Sequence, residues 1–571
     1  MTVSSSSPPA GGTSGFGGLF VPKLVTVLRE GYGLAAFRAD ALAGLTVAIV
    51  ALPLSMAIAI ASGTTPERGL YTAIVGGFLI SALGGSRFQV GGPAGAFIVL
   101  VASSVARNGI DGVLLATMMA GVFLIAAGYL RLGTFIKFIP YPVTVGFTAG
   151  IAVIIFASQI KELFGLTLQG KEPGEIVAKL EVLAGAAGSV NAAAVLLAFG
   201  TIAVIAGLKR WRPHWPGMLV AVILAAVATW AFGLPVETIG SRFGGIPSML
   251  PAPSLPEISL ARMQAVLPDA LAFALLGAIE SLLSAVVADG MTGRRHRSNC
   301  ELVAQGVANI GAALFGGICA TGTIARTATN VRAGARGPVA GMLHSVFLLA
   351  FMMLAAPLAA YIPLAALAGV LAIVAWNMAE KHEFTLLLRA SRGDAVVLLA
   401  TFLLTVFRDL TEAIVVGFAL GAALFIHRMT LATGVEENVP LVAPDQADDA
   451  QPRRPYDSTL ATDRHVVVYR LTGAFFFGTA SAVGAVLDRI ADERRAFVID
   501  FTAVPFVDST AANVIAGLGR KAARQGVRVY VTGAKPAVRR MLLQAGARRP
   551  QVRYLPRIDD AVRASRRPAT A

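Results

Sequence analysis

Long apolar segments separated by short polar connections dominate this chain between residues 41 and 427, and they constrain its fold more than any other feature. About fourteen such segments occur in a chain of 571 residues that is 56% hydrophobic and only 14% charged. Soluble globular proteins of this size do not have such a composition. The sequence therefore predicts a mostly α-helical membrane protein that crosses the bilayer many times.

Several of these segments are shorter than the roughly 20 residues that a membrane span requires. Two of them follow glycine-rich stretches, GGPAGAF at Gly91 to Phe97 and TGTIAR at Thr321 to Arg326, which lie roughly 230 residues apart. The segment that begins near Ala41 has a counterpart near Pro268 at a similar offset. Such matched, interrupted segments indicate an inverted-repeat transporter, here of seven plus seven segments. Two unrelated re-entrant loops are the alternative interpretation.

The stretch from Gly316 to Gly337, GGICATGTIARTATNVRAGARG, is polar and glycine-rich although apolar segments surround it. It fits a half-helix that begins inside the membrane, with Thr321, Gly322 and Thr323 as the lead-in and N-cap. The unpaired N–H groups of a helix start carry about half a positive charge, and Arg326 adds a full charge. In a low dielectric this is a place for an anion.

An anion held between the two helix starts would contact backbone amides from both of them. The first start offers the amides of Gly95, Ala96 and Phe97, and the second offers those of Ile324, Ala325 and Arg326. The complete predicted set of substrate-binding residues is Gly92, Pro93, Gly95, Ala96, Phe97, Thr323, Ile324, Ala325, Arg326 and, lining the cavity from the first segment, Ser55. The alternative is that these glycines only permit close helix packing.

Glu280 is a carboxyl group in the middle of an apolar segment, where a charge is costly and usually functional. Ser284 lies one helical turn later on the same face. Glu280 either carries a proton together with the anion, or it binds Na⁺ with Ser284, Gly322 and Thr323. A third interpretation is an ion pair between Glu280 and Arg326 that only locks two helices together.

The formal net charge of +15 reflects Lys and Arg residues in the connections between segments. Their distribution predicts a multi-pass protein of the inner or plasma membrane with both termini in the cytoplasm. No base-stacking pattern supports nucleic-acid binding. Cys300 and Cys319 lie in apolar surroundings, so neither a disulfide nor a metal site is expected. The sequence also lacks a nucleophile with its base and orienting group, so neither an enzyme nor a cofactor is predicted.

The composition changes abruptly after the last apolar segment. A disordered tail and lead-in at 1–37, a transmembrane domain at 38–432, a linker at 433–462, a small α/β domain at 463–565 and a tail at 566–571 are predicted. Within the α/β domain, strands are expected at 465–471, 495–501 and 527–533, and helices at 480–489, 509–526 and 535–546.

Five motifs resemble those of the SulP anion transporters and of the STAS domain that follows their membrane part. The first four are Val50 to Ile74, Gly84 to Phe97, Leu275 to Gly293 and the stretch around Arg326, and the STAS-like motif is VIDFTAVPFVDSTAANVI at Val498 to Ile515. The resemblance implies seven-plus-seven segments in core and gate domains, a homodimer, and elevator-type movement of the core. It also implies an acidic substrate-site residue at Glu280, and Leu54 replaces a polar residue that usually follows Pro53.

Secondary active transport of a small anion is the function that these features favour. Sulfate moved by proton symport is the leading hypothesis, and Na⁺-coupled bicarbonate or C4-dicarboxylate transport is the alternative within this class. An anion-responsive membrane sensor or scaffold that acts on a cytoplasmic regulator through the STAS domain is the alternative of another class. The resemblance implies a regulatory phosphosite at Ser509, but Ala511 replaces the usual glycine, and we favour the alternative that Asp508 or Ser509 is a helix N-cap.

Overall fold

The computed structural model describes residues 16–134, 140–168, 170, 172–173, 175–212, 215–408, 410–432, 466–473, 475 and 496–566. Before residue 433 the described chain is almost entirely helical, with two very short strands, β1 (Gly91–Gly92) and β2 (Thr321–Gly322). The α-helices of this part are α1 Lys23–Arg29, α2 Leu34–Ala61, α3 Pro66–Tyr71, α4 Gly77–Leu83, α5 Ile98–Tyr129, α6 Tyr141–Phe164, α7 Ile176–Gly185, α8 Ala192–Trp211, α9 Gly217–Phe232, α10 Ile239–Phe243, α11 Leu260–Thr292, α12 Ser298–Leu314, α13 Ile324–Arg332, α14 Val339–Ala359, α15 Leu364–Met378, α16 Lys381–Ala390, α17 Arg392–Phe407 and α18 Leu410–Ala432.

Within the described residues, seven helical stretches are long and apolar enough to cross a bilayer. They are Leu34–Ala61, Gly95–Tyr129, Tyr141–Phe164, Ala192–Trp211, Leu260–Thr292, Val339–Ala359 and Leu364–Ala390. Two further apolar helical stretches, Gly217–Phe232 and Val415–Phe425, are shorter, as the sequence predicted for several segments. The helical geometry of α5 is interrupted at Gly109, whose φ is 67°. The predicted fold class, a mostly helical membrane protein, is confirmed.

The chain divides into two compact units, Met1–Ile136 with Ile151–Ala379, and Lys137–Gly150 with Glu380–Ala571. In the first unit α5 packs against α11 and α12, and α14 packs against α2. The α5–α12 crossing is close because two glycines face each other there. A Cβ atom on Gly121 would lie 2.6 Å from the carbonyl oxygen of Gly306, and one on Gly306 would lie 2.4 Å from that of Gly121. Small residues at such crossings let helix backbones approach in a membrane.

The second unit ends in a small α/β domain with a four-stranded parallel sheet in the order β3-β4-β5-β6. Its elements are β3 Val466–Thr472, β4 Ala496–Ala503, α19 Ser509–Arg524, β5 Arg528–Thr532, α20 Pro536–Gln544, β6 Val552–Leu555 and α21 Ile558–Arg566. The three predicted strands and the last two predicted helices are therefore confirmed, while β6 and α21 were not predicted. The predicted helix at 480–489 and the linker at 433–462 lie outside the described residues.

Strand β4 is buried on both faces, as expected for a central parallel strand. Phe497 and Ile499 belong to the larger apolar cluster beneath α19, and Val498 packs on the other face against α21. Asp500 continues this strand at 1% exposure. Burial by itself raises the pKa of its carboxyl, but hydrogen bonds from Thr502 (2.6 Å), Arg470 (3.0 Å) and Thr532 (3.1 Å) outweigh that effect. The net result is a pKa below the usual range for aspartate.

Candidate functional site

Two short strands hold the two predicted helix starts side by side. β1 and β2 pair in antiparallel fashion, with Gly91 opposite Gly322. A 3-10 turn at Gly95–Phe97 leads from β1 into α5, and the single residue Thr323 leads from β2 into α13. Because both strands run almost directly into helices, their pairing brings the N-termini of α5 and α13 together. The sequence predicted this meeting of two half-helix starts.

The start of α13 leaves three backbone amides without an intrahelical partner. Thr323 is the N-cap residue in an extended conformation, with φ −106° and ψ 130°. The first amide to be paired within the helix is that of Thr327, which donates to the carbonyl of Thr323 at 3.0 Å. The amides of Ile324, Ala325 and Arg326 precede that bond. They are therefore the donors that this helix start can direct at an anion.

The start of α5 is tighter, because it opens with a 3-10 turn. The amide of Phe97, predicted as a donor to the anion, instead donates to the carbonyl of Ala94 at 3.1 Å. The Phe97 ring is 1% exposed and packs edge-on against Phe273, with ring centroids 6.0 Å apart. Gly95 and Ala96 remain as the first-turn amides on this side.

The side chain of Arg326 lies against strand β1 and is almost completely buried, at 1% exposure. Its Nη1 donates to the carbonyl of Gly91 at 3.1 Å, and its Nη2 donates to the carbonyl of Pro93 at 3.3 Å. The guanidinium therefore uses protein acceptors for several of its N–H groups. It contributes a fixed positive charge beside both helix starts, in a place where water screens it little.

Ser55 does not line the cavity as predicted, because it is the third acceptor for the buried guanidinium. The side chain is 0% exposed, and its hydroxyl oxygen accepts from Arg326 Nη2 at 2.9 Å. The hydroxyl donates its own proton to the carbonyl of Ala51 at 2.6 Å. A buried charge needs such hydrogen-bond partners, which explains this correction.

Helix α11 carries the predicted coupling-ion residues past the start of α13. Glu280 is half-buried, and Ser284 donates to the hydroxyl of Thr327 at 2.9 Å. Glu280 and Arg326 are both described residues, and the structure has no ion pair between them. The helix-locking interpretation of that pair is therefore not supported. Glu280 lies one turn before Ser284, on the face that reaches α13.

The remaining predicted cation ligands lie next to β1. Thr323 is 8% exposed, and its hydroxyl donates to the carbonyl of Val90 at a long 3.4 Å. Gly322 packs against the amide of Gln89, so a Cβ atom there would lie 1.5 Å from Gln89 Nε2. The structure thus places Gly322 and Thr323 at the paired helix starts, and Ser284 contacts the same region through Thr327.

Three polar residues of this site were not predicted. Thr327 accepts from the amide of Val90 at 3.2 Å, and Asn330 donates to the carbonyl of Phe88 at 2.9 Å. Gln89 is 3% exposed. The signal for Gln89 was present in the sequence, since this polar amide lies only two residues before the buried Gly91–Gly92 pair.

Ser509 lies at the start of α19, outside the anion site. Asp508 is the N-cap, and its carboxylate accepts from the amide of Ala511 at 2.8 Å. This confirms the capping interpretation of the motif. Ser509 is only 3% exposed and lines a small pocket with Pro140 and Asp394. A kinase cannot reach this hydroxyl in the described conformation.

Apolar helices arranged around two helix N-termini and a buried arginine are the features of a membrane transporter for anions. The chain belongs to the sulfate permease family, whose model matches residues 37–401, and a STAS domain model matches residues 458–561. Similarity over most of the chain extends to proteins of diverse bacteria, plants and animals.

Two bacterial relatives are similar over nearly their full lengths. The Bacillus subtilis (strain 168) protein with the name "Putative sulfate transporter YvdB" is 39% identical over 528 residues, which covers 90% of this chain and 95% of that protein. The bicarbonate transporter BicA of Synechocystis sp. is 32% identical over 525 residues, covering 88% of this chain and 90% of that protein.

Solved structures show the same architecture. The transmembrane domain of a cyanobacterial bicarbonate transporter BicA superposes with a TM-score of 0.61 at 32% identity, covering 67% of this chain and 98% of that one. The murine Solute Carrier 26 family member A9 anion transporter, in the inward-facing state, superposes with a TM-score of 0.67, covering 98% of this chain and 96% of that one. At 18% identity the second similarity concerns the fold alone.

Proposed function

We propose that this protein carries sulfate across the membrane together with protons. The observation that carries the proposal is the charge gathered at the paired helix starts. Two helix N-termini supply about half a positive charge each, and Arg326 supplies one more, so the site holds about two positive charges. A sulfate dianion balances that charge without a second cation. The 39% identity to a protein named as a sulfate transporter supports the same substrate.

Glu280 is the proposed proton carrier of the symport. Its carboxyl is half-buried on the face of α11 that reaches α13 through Ser284. A carboxyl in this position is costly to ionise beside lipid, so it takes a proton readily. Protonation removes the negative charge that would repel an incoming sulfate. Proton and anion then bind together and leave together.

The remaining features of the proposal follow from the family. We propose that residues 38–432 form the transporter and residues 463–565 a cytoplasmic STAS domain, in a homodimer of the inner or plasma membrane with both termini in the cytoplasm. Elevator-type movement of the core would carry the site from one side to the other. A cytoplasmic regulator of the STAS domain is part of this proposal.

Sodium-coupled bicarbonate transport is the second candidate. It is favoured by the 32% identity to a protein named as a bicarbonate transporter. Bicarbonate carries one negative charge, so a bound Na⁺ near Glu280 and Thr323 would have to offset the carboxylate. With a protonated Glu280, sulfate balances the two positive charges of the site in full, whereas bicarbonate with Na⁺ and an ionised Glu280 leaves about one positive charge.

Uptake into proteoliposomes tests both candidates. Labelled sulfate, bicarbonate and fumarate are offered separately, with an inward pH gradient or an inward Na⁺ gradient, and protein-free liposomes measure leakage. We expect sulfate to accumulate under the pH gradient alone. Accumulation of bicarbonate under the Na⁺ gradient, without sulfate uptake, would instead establish the second candidate.

Glu280→Gln tests the coupling role within the same assay. The amide cannot release or bind a proton, so we expect sulfate accumulation under a pH gradient to disappear while exchange of external for internal sulfate continues. Glu257→Gln is the matched control, because that side chain is 79% exposed in a surface ion pair with Arg262. Undiminished accumulation by Glu280→Gln would disprove the coupling role.

A further inference from the structure

The C-terminal α/β domain carries an excess of positive charge that the transport site does not use. Between residues 496 and 566 the sequence contains thirteen Lys or Arg residues and only four Asp or Glu residues. Such an imbalance on a small domain favours association with membranes or with other anionic partners. The position of these charges on the folded domain shows where such a partner would bind.

Three of the basic residues line one open pocket beside α20, which has a volume of about 590 Å³. They are Arg539, Arg540 and Arg548, and Pro536, Leu543 and Gln544 line the pocket with them. The volume lies within the range of small-molecule binding sites. The lining combines guanidinium groups with apolar side chains, so it suits a ligand that is anionic at one end and apolar at the other.

Packing of α20 directs its arginines away from the domain core. Val538 and Leu542 anchor the helix in the larger apolar cluster of the domain, at 2% and 0% exposure. Arg539 and Arg540 are exposed. The guanidinium of Arg539 lies over the ring of Tyr554, 5.3 Å from the ring centroid, and this cation–π contact holds it beside the pocket.

A fourth arginine lies close to the turn that follows α20. Nη1 of Arg520, from α19, is 3.9 Å from the Cβ position of Gly546, two residues before Arg548. In the part of the chain that the structure describes, none of the four arginines forms an ion pair with a carboxylate. Guanidinium groups bind phosphate oxygens in bidentate fashion, so this cluster is suited to a phosphate group.

The pocket lies close to the membrane helices of its own compact unit. Helix α20 contacts α16, and α16 packs against the apolar helix α17 through Phe384 and Phe402, whose ring centroids are 5.3 Å apart. No more than one helix, about 10–12 Å in diameter, therefore separates α20 from α17. This separation is comparable to the Debye length of about 10 Å at 0.1 M ionic strength, so the surface potential of a bilayer acts on the arginines.

Leu543 favours a lipid over a free phosphate compound as the ligand. Its side chain is 38% exposed and lies in the pocket beside Arg540 and Gln544. An exposed leucine adds nothing to the binding of a small hydrated phosphate. It does gain from contact with the glycerol and first acyl carbons of a phospholipid, because apolar surface is then removed from water.

We propose that this arginine pocket binds the headgroup of an anionic phospholipid, such as phosphatidylglycerol, in the cytoplasmic leaflet. The inference rests on the proposed cytoplasmic position of the STAS domain and does not depend on which anion is transported. Each arginine near an anionic bilayer surface contributes about fivefold in affinity, equivalent to about 1 kcal/mol, so the three pocket arginines contribute about a hundredfold. The bound lipid links the α/β domain to the bilayer beside α16.

Hydrogen exchange in the full-length protein, reconstituted in lipid nanodiscs, tests the proposal. The lipid is phosphatidylcholine alone, or phosphatidylcholine with about 30% phosphatidylglycerol, which gives the surface the negative potential of an anionic leaflet. A ligand that binds only the folded site slows exchange there. We expect the amides of α20 and of the turn after it to exchange severalfold more slowly with phosphatidylglycerol. Equal exchange in the two lipids would overturn the proposal.

Glycerol phosphate and inorganic phosphate, added to the phosphatidylcholine nanodiscs, distinguish a lipid from a soluble ligand. Both carry the phosphate group without acyl chains. We expect neither to protect α20 at the concentration of phosphatidylglycerol used in the first measurement. Protection by either compound would overturn the lipid assignment and give the pocket to a soluble phosphate compound.

The double variant Arg540→Gln with Arg548→Gln tests the pocket itself. Loss of two arginines at about fivefold each lowers affinity by about thirtyfold, so we expect the protection by phosphatidylglycerol to disappear. Arg540→Lys with Arg548→Lys keeps both charges and should keep most of the protection, which separates loss of binding from loss of folding. Protection that persists in the glutamine variant would overturn the proposal.

Arg553→Gln with Arg563→Gln is the matched control. Both arginines are exposed, on β6 and α21, and α21 packs on the face of the sheet opposite the cluster that contains Val538 and Leu542 of α20. This variant loses the same charge and should retain the wild-type protection. An equal loss of protection in the control would show that net charge alone draws the domain to the bilayer, without a lipid site.

The measurement does not depend on transport. If α20 is protected by phosphatidylglycerol while no proton-driven sulfate uptake occurs, the proposed function is wrong and the lipid site stands. If sulfate uptake is proton-driven and α20 exchanges equally in both lipids, only the lipid site is wrong.

Discussion

A Cβ atom on Gly92 would lie 1.6 Å from Nη1 of Arg326, so the guanidinium occupies the space that any other side chain at this position would need. The backbone angle φ of Gly92 is 153°, a value that residues with a side chain rarely adopt. The glycine-rich lead-in of the first half-helix is thus shaped to receive the arginine of the second. Two halves of the chain depend on each other at this single contact.

Gly92→Ala is expected to displace the guanidinium and weaken sulfate binding by about tenfold or more, since one hydrogen bond to a charged group contributes about 1.5–3 kcal/mol. Binding to purified protein by calorimetry measures the loss. Gly200→Ala is the matched control: it lies in α8 with no neighbouring atom within 4 Å of the new Cβ. Unchanged sulfate affinity in Gly92→Ala would show that the placement of Arg326 does not matter.

Ser55→Ala removes an acceptor from a buried charge and leaves one guanidinium N–H without its partner. We expect the free energy of unfolding to fall by about 1–3 kcal/mol and sulfate affinity to fall with it. Thermal unfolding in detergent gives the first quantity, and calorimetry gives the second. Ser62→Ala is the control, because Ser62 makes the same bond to a carbonyl four residues earlier, at 2.7 Å, without touching Arg326. Equal behaviour of the two variants would contradict this role.

The lowered pKa of Asp500 makes the STAS domain sensitive to acid. A carboxyl whose pKa is lower in the folded than in the unfolded state stabilises the fold above the unfolded pKa of about 4. That stabilisation is lost as the pH falls through the folded pKa. We expect amide protection of β4 and β5 in the full-length protein, corrected for intrinsic exchange rates, to fall between about pH 5 and pH 3.

Asp500→Asn should start with lower protection at neutral pH and change less on acidification. Asp560→Asn is the control, because that carboxylate binds Arg563 at the surface of α21. Wild-type protection of β4 in Asp500→Asn at neutral pH would mean that the hydrogen bonds to this carboxylate do not stabilise the sheet.

Ser509→Glu adds a third acidic side chain to a small pocket that already contains Asp508 and Asp394. Because like charges repel strongly where water is scarce, we expect a lower unfolding temperature and slower sulfate uptake. Ser509→Ala should resemble the wild type, since Asp508 provides the helix cap. Gln525→Glu adds the same charge at an exposed position of the same region and serves as the control. Wild-type uptake and stability in Ser509→Glu would exclude a phosphorylation switch at this residue.

The helix start at Ile324 could be predicted because local chemistry determines it. Thr323 favours an N-cap, and glycine before it permits the sharp entry. The pairing of β1 with β2 could not be predicted, because two residues carry no periodic pattern and the partners lie 230 positions apart. Sequence reasoning located both helix starts, but the hydrogen bonds that fix them depend on tertiary packing.

The same distinction explains the errors at individual side chains. Ser55 was assigned to the cavity because it follows a proline in an apolar segment, yet its partner is an arginine 271 positions later. The Phe97 amide was assigned to the anion because the first turn was taken as α-helical, whereas a 3-10 turn pairs it with Ala94. Neither the distant hydrogen-bond partner of Ser55 nor the 3-10 turn before α5 can be predicted from the neighbouring residues in the sequence.

Anomalous diffraction from crystals grown with selenate shows whether an anion binds between the two helix starts, because selenate has the charge and shape of sulfate and its selenium gives an anomalous signal. We expect one selenium peak between the starts of α5 and α13, with selenate oxygens about 2.7–3.2 Å from the amides of Gly95, Ala96 and Ile324. A selenium peak only elsewhere, or no peak between these helix starts at saturating selenate, would show that the starts of α5 and α13 do not form the anion-binding site.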